Sequence, residues 1–270
     1  MGKIVGAFGT SHVLMNREGV EDKADRVLAG MLEIRKRVAE LDPDIVVLIG
    51  NDHFINLDLA HEIPFAIPMV EEYASAGDMG LPPVPFKADP GFAAGLADYV
   101  NSNGFDVAII REYRACHGIA TPSFIVAPPG SRMKLVPLLT NTLMGQPPTP
   151  ARCYALGKRL GEYIENVRPA YEKVVVIGTG GLSHWVAVEG QGTVNFDYDQ
   201  RIFDLFASGK AEEISKLSTA EVLRNLGNGG MEIINWMVMA GAVHGKPGHK
   251  LYYEAIPQWF TGMSGLQMAV

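Results

Sequence analysis

The chain has 270 residues, 47% of them hydrophobic and 20% charged, which excludes wholesale disorder and is long enough to bury a sizeable core in one large domain. A net charge of −7 with dispersed Lys and Arg argues against a nucleic-acid or anionic-membrane surface, because phosphate binding needs clustered bases. Only two cysteines, Cys116 and Cys153, are present, too few for a disulfide framework or a cysteine metal site, and no run approaches the ~20 apolar residues of a membrane span, so a cytoplasmic protein is expected.

In chain order, residues 3–8 read as a strand that runs into Gly9-Thr10-Ser11-His12. Residues 22–41 place Ala24, Val27, Leu28, Met31, Ile34, Val38 and Leu41 at helical spacing, and Asp42-Pro43 stops that helix. The apolar, β-branched run from Asp44 to Ile49 suits a strand buried on both faces, and polarity arrives at once behind it in Asn51-Asp52-His53. This strand–helix–strand unit predicts that His12 and His53 emerge from the same edge of neighbouring parallel strands. Residues 54–90 are broken by prolines, and such a long irregular stretch is expected to be functional or an interface. His61, inside it, reads as a loop histidine on the surface.

A helix over 91–101 and a strand over 106–110 follow, leading toward Cys116-His117. Thr121-Pro122 predicts a helix start with Pro at the first position, which puts His117 just before a helix N-terminus, where its pKa falls. A strand over 134–139, a helix over 151–167 and a strand over 173–177 lead into Gly178-Thr179-Gly180-Gly181-Leu182-Ser183-His184. Helical segments are expected over 196–207, 211–217 and 218–225, the last with capping-box spacing between Ser218 and Glu221. The turn at 227–230 opens the most apolar helix, over 231–240, with Glu232 in its first turn as dipole compensation or as a metal ligand. Residues 251–257 read as a last strand. Together these predict one α/β domain over residues 1–270, with a mostly parallel central sheet flanked by helices and an active site at the carboxyl ends of the strands.

Four of the seven histidines, His12, His53, His117 and His184, follow predicted strands. Two imidazoles and a carboxylate on one face of a metal, with positions left open, is the ligand set of non-haem Fe(II) oxygen chemistry, and His12, His53 and Glu232 supply it. Zinc accepts the same set with water in fourth place, so residue types alone leave a zinc hydrolase open, as well as a non-catalytic binding protein on the same scaffold. Cys116 reads as a buried spectator thiol, and the glycine string at 178–181 lacks the lysine and spacing of a phosphate cradle.

The pieces Thr10-Ser11-His12, Asn51-Asp52-His53, His117-Gly118, Gly178 to His184 and Met231-Glu232-Ile233-Ile234-Asn235-Trp236 resemble, in order, the motif series of the type III extradiol ring-cleavage dioxygenases, and specifically their catalytic β subunits. The resemblance implies that His12, His53 and Glu232 hold Fe(II), that His184 is the acid and base, and that His117 contacts substrate or oxygen. Asn51, Asp52 and Ser183 would support the ligands from behind, Asp52 as a direct ligand being the less favoured alternative. The implied reaction inserts both atoms of O₂ into a catechol-type diol with ring opening. Protocatechuate-, gallate-, aminophenol- and dihydroxypyridine-like substrates all stay open, because Gln258-Trp259-Phe260 departs from the family in a pocket-lining region. The family also implies a small helical α subunit, which nothing in this chain matches, and aromatic residues near Trp259, Phe260 and Met263 suggest a homo-oligomer surface.

Overall fold

Successive residues of the run at 45–50 point to opposite faces of a sheet, and both faces are covered. In the computed structural model, which describes residues 1–128 and 130–270, every residue of that run is buried. Val47 and Ile49 join one core with Leu156, Leu160, Ile234 and Trp236, whereas Val46 and Leu48 join a second core with Val27, Met31, Ile34 and Ile119.

The strands and helices are β1 (Lys3–Thr10), α1 (Glu21–Leu41), β2 (Ile45–Gly50), β3 (Phe65–Pro68), β4 (Glu72–Ser75), β5 (Phe86–Lys87), α2 (Pro90–Ser102), β6 (Ala108–Ile110), β7 (Arg114–Ala115), α3 (His117–Val126), β8 (Lys134–Thr140), α4 (Pro150–Val167), β9 (Lys173–Thr179), α5 (Phe196–Ala207), α6 (Thr219–Leu226), α7 (Ile233–Ala242), β10 (Gly248–Ile256) and β11 (Thr261–Met268). The main sheet runs β10-β11-β1-β9-β2-β8-β3-β6, with β1, β9, β2 and β8 parallel at its centre. Helices α2, α4 and α7 contribute to one core and α1 and α3 to the other, so the chain is the expected α/β layer arrangement around a mostly parallel sheet. Among the described residues no helix is long and apolar enough to cross a membrane.

Three expectations need correction. First, β1 and β2 are not neighbours: β9 lies between them and pairs in parallel with both. Its core, Val174-Val175-Val176-Ile177, is fully buried and suits a central position, and adjacency of consecutive strands is only a tendency. Second, the irregular stretch after His53 holds β3, which joins the main sheet, and β4 and β5, which form a small sheet with β7. Third, the chain ends in a hairpin and not a single strand. The sequence of β11, Thr-Gly-Met-Ser-Gly-Leu-Gln-Met, is poor in β-branched residues, and the strand forms because β1 and β10 offer it two ladders. That hairpin also encloses Trp259 and Met263, 3% and 0% exposed, so these two offer no surface to a second copy.

Candidate active site

Each functional side chain sits where an element ends. Beyond β1, the buried Ser11 and His12 follow, with the Ser11 hydroxyl donating to the Gly181 carbonyl at 2.5 Å and accepting from the Ser264 N–H at 2.9 Å. Beyond β2, His53 and Phe54 both take left-handed backbone, with φ of 49° and 63°, and turn the chain across the sheet edge. Asp52 fixes that turn: its carboxylate accepts from the Asn56 N–H at 2.6 Å and the Leu57 N–H at 2.7 Å. Both Asp52 oxygens are thus engaged within its own loop, with Asn56 Nδ2 on the second. Asn51 lines the cavity, and its Oδ1 accepts from the N–H groups of Asp52 and Thr142 at 3.0 and 3.3 Å.

Glu232 closes a single 3₁₀ turn (Gly229–Glu232) in front of α7. The following turn is strapped to the end of β9, with Asn235 Nδ2 donating to the Thr179 carbonyl at 2.8 Å and Trp236 Nε1 to the Gly180 carbonyl at 3.0 Å. Glycine is required at 180. Its φ is 93°, and a Cβ there would stand 2.4 Å from Glu232 Oε2.

The carboxylate and imidazoles converge. Glu232 Oε1 lies 3.5 Å from His12 Nε2 and 3.2 Å from His53 Nε2, while Oε2 lies 3.8 Å from His184 Nε2 and accepts from the Gly181 N–H at 3.2 Å. Two ligands at right angles, each about 2.1 Å from a metal, stand roughly 3 Å apart, so the His12, His53 and Glu232 edges fit one ion. The ring nitrogens of His12, His53 and His117 also come within 4.8 Å of one another. His117 stacks on His53 with centroids 4.1 Å apart, and its Nδ1 is committed to Asp78 Oδ2 at 2.6 Å.

Behind His12 and His53 stand two short relays. The Thr179 hydroxyl donates to the Gly118 carbonyl at 2.9 Å, which leaves its lone pair for His12 Nδ1 at 3.4 Å. The Cys116 thiol donates to the Asn51 carbonyl at 3.1 Å and accepts from His53 Nδ1 at 3.3 Å. Both imidazoles then carry their proton on Nδ1 and present Nε2 toward Glu232. Ser183 plays no part in this. Its hydroxyl donates to Asp199 Oδ2 at 2.8 Å and accepts from the Asn195 N–H at 2.9 Å, anchoring the loop ahead of His184.

The helix after Cys116 begins at His117 itself, five residues ahead of a start with Pro122 in the first position, so Pro122 lies inside it. The His117 pKa is lowered, chiefly by burial and then by His53, against the pull of Asp78. Asp78 also accepts the His117 backbone N–H at 2.9 Å. Burial takes His12 down to about 3 despite Glu232. Burial also opposes a proton on His53, but the hydrogen bonds with Cys116 and Glu232 outweigh it and carry the group up to about 10. Glu232 is held well below the carboxylate range: burial pushes it up, and the charges of His12, His53 and His184 more than offset that.

Sequence patterning missed Asp78, Thr179 and the contact made by Cys116. Asp78 did lie in the proline-rich stretch marked as functional, but no spacing singled it out. His61 is a surface residue, its side chain 79% exposed.

Residues 6–264 match the family described as the catalytic LigB subunit of aromatic ring-opening dioxygenase. A 2,3-dihydroxyphenylpropionate/2,3-dihydroxicinnamic acid 1,2-dioxygenase of Klebsiella pneumoniae is 24% identical over 92% of this chain and 92% of its own length. A gallate dioxygenase of Pseudomonas putida is 30% identical over 64% of this chain and 51% of its own. A crystal structure of an uncharacterized Escherichia coli K12 protein shares the fold, with a TM-score of 0.60 at 14% identity over 98% of this chain and 99% of that one.

Proposed function

This chain belongs to the family of the catalytic LigB subunit of aromatic ring-opening dioxygenases, and we propose that it works through one Fe(II) held by His12, His53 and Glu232. It opens catechol-type aromatic diols with dioxygen. The observation that carries the assignment is Glu232: a carboxylate 3% exposed, with no Lys or Arg paired to it among the described residues, its Oε1 3.2 and 3.5 Å from two imidazole Nε2 atoms. A buried anion in that setting calls for a cation. His117 is less suited as the third ligand, because it brings no negative charge and would leave the buried Glu232 carboxylate without a cation.

Bound Fe(II) supplies a Lewis acid that makes the diol easier to ionise and an open position for oxygen. His184 receives the second diol proton. Its Nδ1 is committed to the Leu182 carbonyl at 3.0 Å, so the free lone pair is on Nε2, facing the cavity beside Glu232. His117, stacked on His53 and giving its Nδ1–H to Asp78, is left with its Nε2 lone pair to accept from the substrate. Asn51 keeps the Cys116 relay in place through its carbonyl, and Asp52 and Ser183 hold the loops that carry His53 and His184.

In the same reading the chain is one catalytic domain over residues 1–270, acts in the cytoplasm, and takes either a small helical α subunit or a second copy of itself as partner. The deciding experiment is oxygen uptake by Fe(II)- and Zn(II)-reconstituted protein with a panel of diols, together with iron retention. Turnover with Fe(II) alone is expected. His12→Ala and Glu232→Ala should lose iron, while His184→Ala keeps it and turns over slowly; iron loss in His184→Ala would count against its role.

A further inference from the structure

The cavity beside the histidine cluster measures about 500 Å³, within the range of whole-ligand sites and more than a bare diol ring fills. Its charge is one-sided. Among the described residues Glu232 is the only carboxylate in the lining, and no Lys or Arg lines it at all.

The remaining polar groups are neutral, and several are already engaged. The Asn228 amide closes on Val186, accepting its N–H at 2.9 Å and donating to its carbonyl at 2.8 Å. Trp259 Nε1 donates to the Asn16 carbonyl at 2.6 Å, and Ser11 is spent on Gly181 and Ser264. Among the described residues away from the histidines, the polar side chains left to meet a ligand are those of Asn51, Thr142 and Thr261, and none carries charge.

The rest of the lining is apolar. Phe54, Met79 and Val186 are 52%, 48% and 43% exposed, large side chains left facing solvent at the cavity, with Val13, Leu143 and Trp259 also in its wall. An apolar ligand group laid over them removes that surface from water, whereas an anionic group on the same wall would lose its hydration with no Lys or Arg among the described residues to replace it.

We propose that the substrate is a diol whose ring substituent is uncharged and apolar, an alkyl or aryl group packed against Phe54, Met79, Val186 and Trp259, and that carboxylated diols are disfavoured. This deepens the ring-opening assignment and rests on it for the placement of the diol at His12, His53 and Glu232. The substituent end stands on the cavity wall alone.

The test compares matched pairs on the Fe(II)-loaded protein: 3-propylcatechol against 3-(2,3-dihydroxyphenyl)propionate, and 4-methylcatechol against 3,4-dihydroxybenzoate. Within each pair the carbon count and ring position are the same, and a carboxylate replaces a terminal methyl group. We expect the neutral member to be favoured about tenfold or more in kcat/KM and in anaerobic Kd by calorimetry. Val186→Arg should shift both ratios about tenfold toward the carboxylated member. Equal or better use of the carboxylated diols would overturn the proposal, and so would an unmoved ratio in folded Val186→Arg protein or binding of neither member. Neutral members bound more tightly with no oxygen uptake on any diol would instead overturn the iron-dependent ring-opening assignment and leave the pocket assignment standing.

Discussion

Thr179 donates its hydroxyl, at 2.9 Å, to the carbonyl of Gly118, the acceptor that Pro122 leaves free by lacking an N–H one helical turn later. A proline inside α3 thus creates the socket that fixes Thr179, and Thr179 in turn faces His12 Nδ1 at 3.4 Å. Thr179→Val removes the donor at nearly constant volume. It should weaken metal binding about 10- to 100-fold and cost about 1–3 kcal/mol of stability, since the Gly118 carbonyl is then buried without a partner. Chelator competition and urea melts read the two effects separately, and metal affinity at the wild-type level would show that His12 needs no such support.

Cys116 gives a parallel case on the other imidazole. Cys116→Ala leaves His53 Nδ1 without its acceptor and should loosen the metal about tenfold, while Cys116→Ser, which keeps both an acceptor and a donor, should recover most of it. If alanine and serine behave alike under chelator competition, the thiol is a spectator after all.

Gly229 lies against the ring of His184, where an added Cβ would come within 2.0 Å of Nε2. Gly229→Ala must therefore push the imidazole aside. Metal content should be unchanged while kcat falls about 10- to 100-fold, the loss associated with a displaced general base. Retained turnover at normal iron content would remove His184 from the proton path.

Asp199 makes stability depend on pH. Burial pushes its carboxyl up to about 6 from an ordinary 3.8, against the hydrogen bonds from Tyr253 and Ser183. A folded-state pKa above the unfolded one means that the native protein holds the proton longer. The contribution is full below about pH 4 and is lost as pH rises through 6, by about 3 kcal/mol at most. Urea denaturation of wild type and Asp199→Asn between pH 4 and 7 should show that decline in the first and a flatter profile in the second, whatever the offset between them.

Much of this was readable from residue order. Strands behind His12, His53 and His184 announce themselves by apolar runs that end abruptly in polarity, and Glu232 stands out as a charge opening the most apolar helix. What stayed hidden depends on pairing between distant segments. Nothing local to residues 3–8 or 45–50 says that Lys173–Thr179 will enter between them, and the glycines and serine of Thr261–Met268 carry no strand signature until two neighbours supply ladders. The Thr121-Pro122 pair has the form of a helix start, yet the helix had already begun at His117, because the freed carbonyl at Gly118 finds Thr179 from another strand. Asp78 reaches His117 from a turn between Gly77 and Gly80 in which Met79 has φ of 53°, a geometry without periodicity.

The insertion of β9 between β1 and β2 has a temporal side. A ribosome emits the segments bearing His12 and His53 early, but the strand that spaces them emerges more than a hundred residues later, and Glu232 later still. The parallel ladders that space β1 from β2 can therefore form only once that wedge arrives, and the Glu232 carboxylate meets the two imidazoles only after most of the polypeptide has been made.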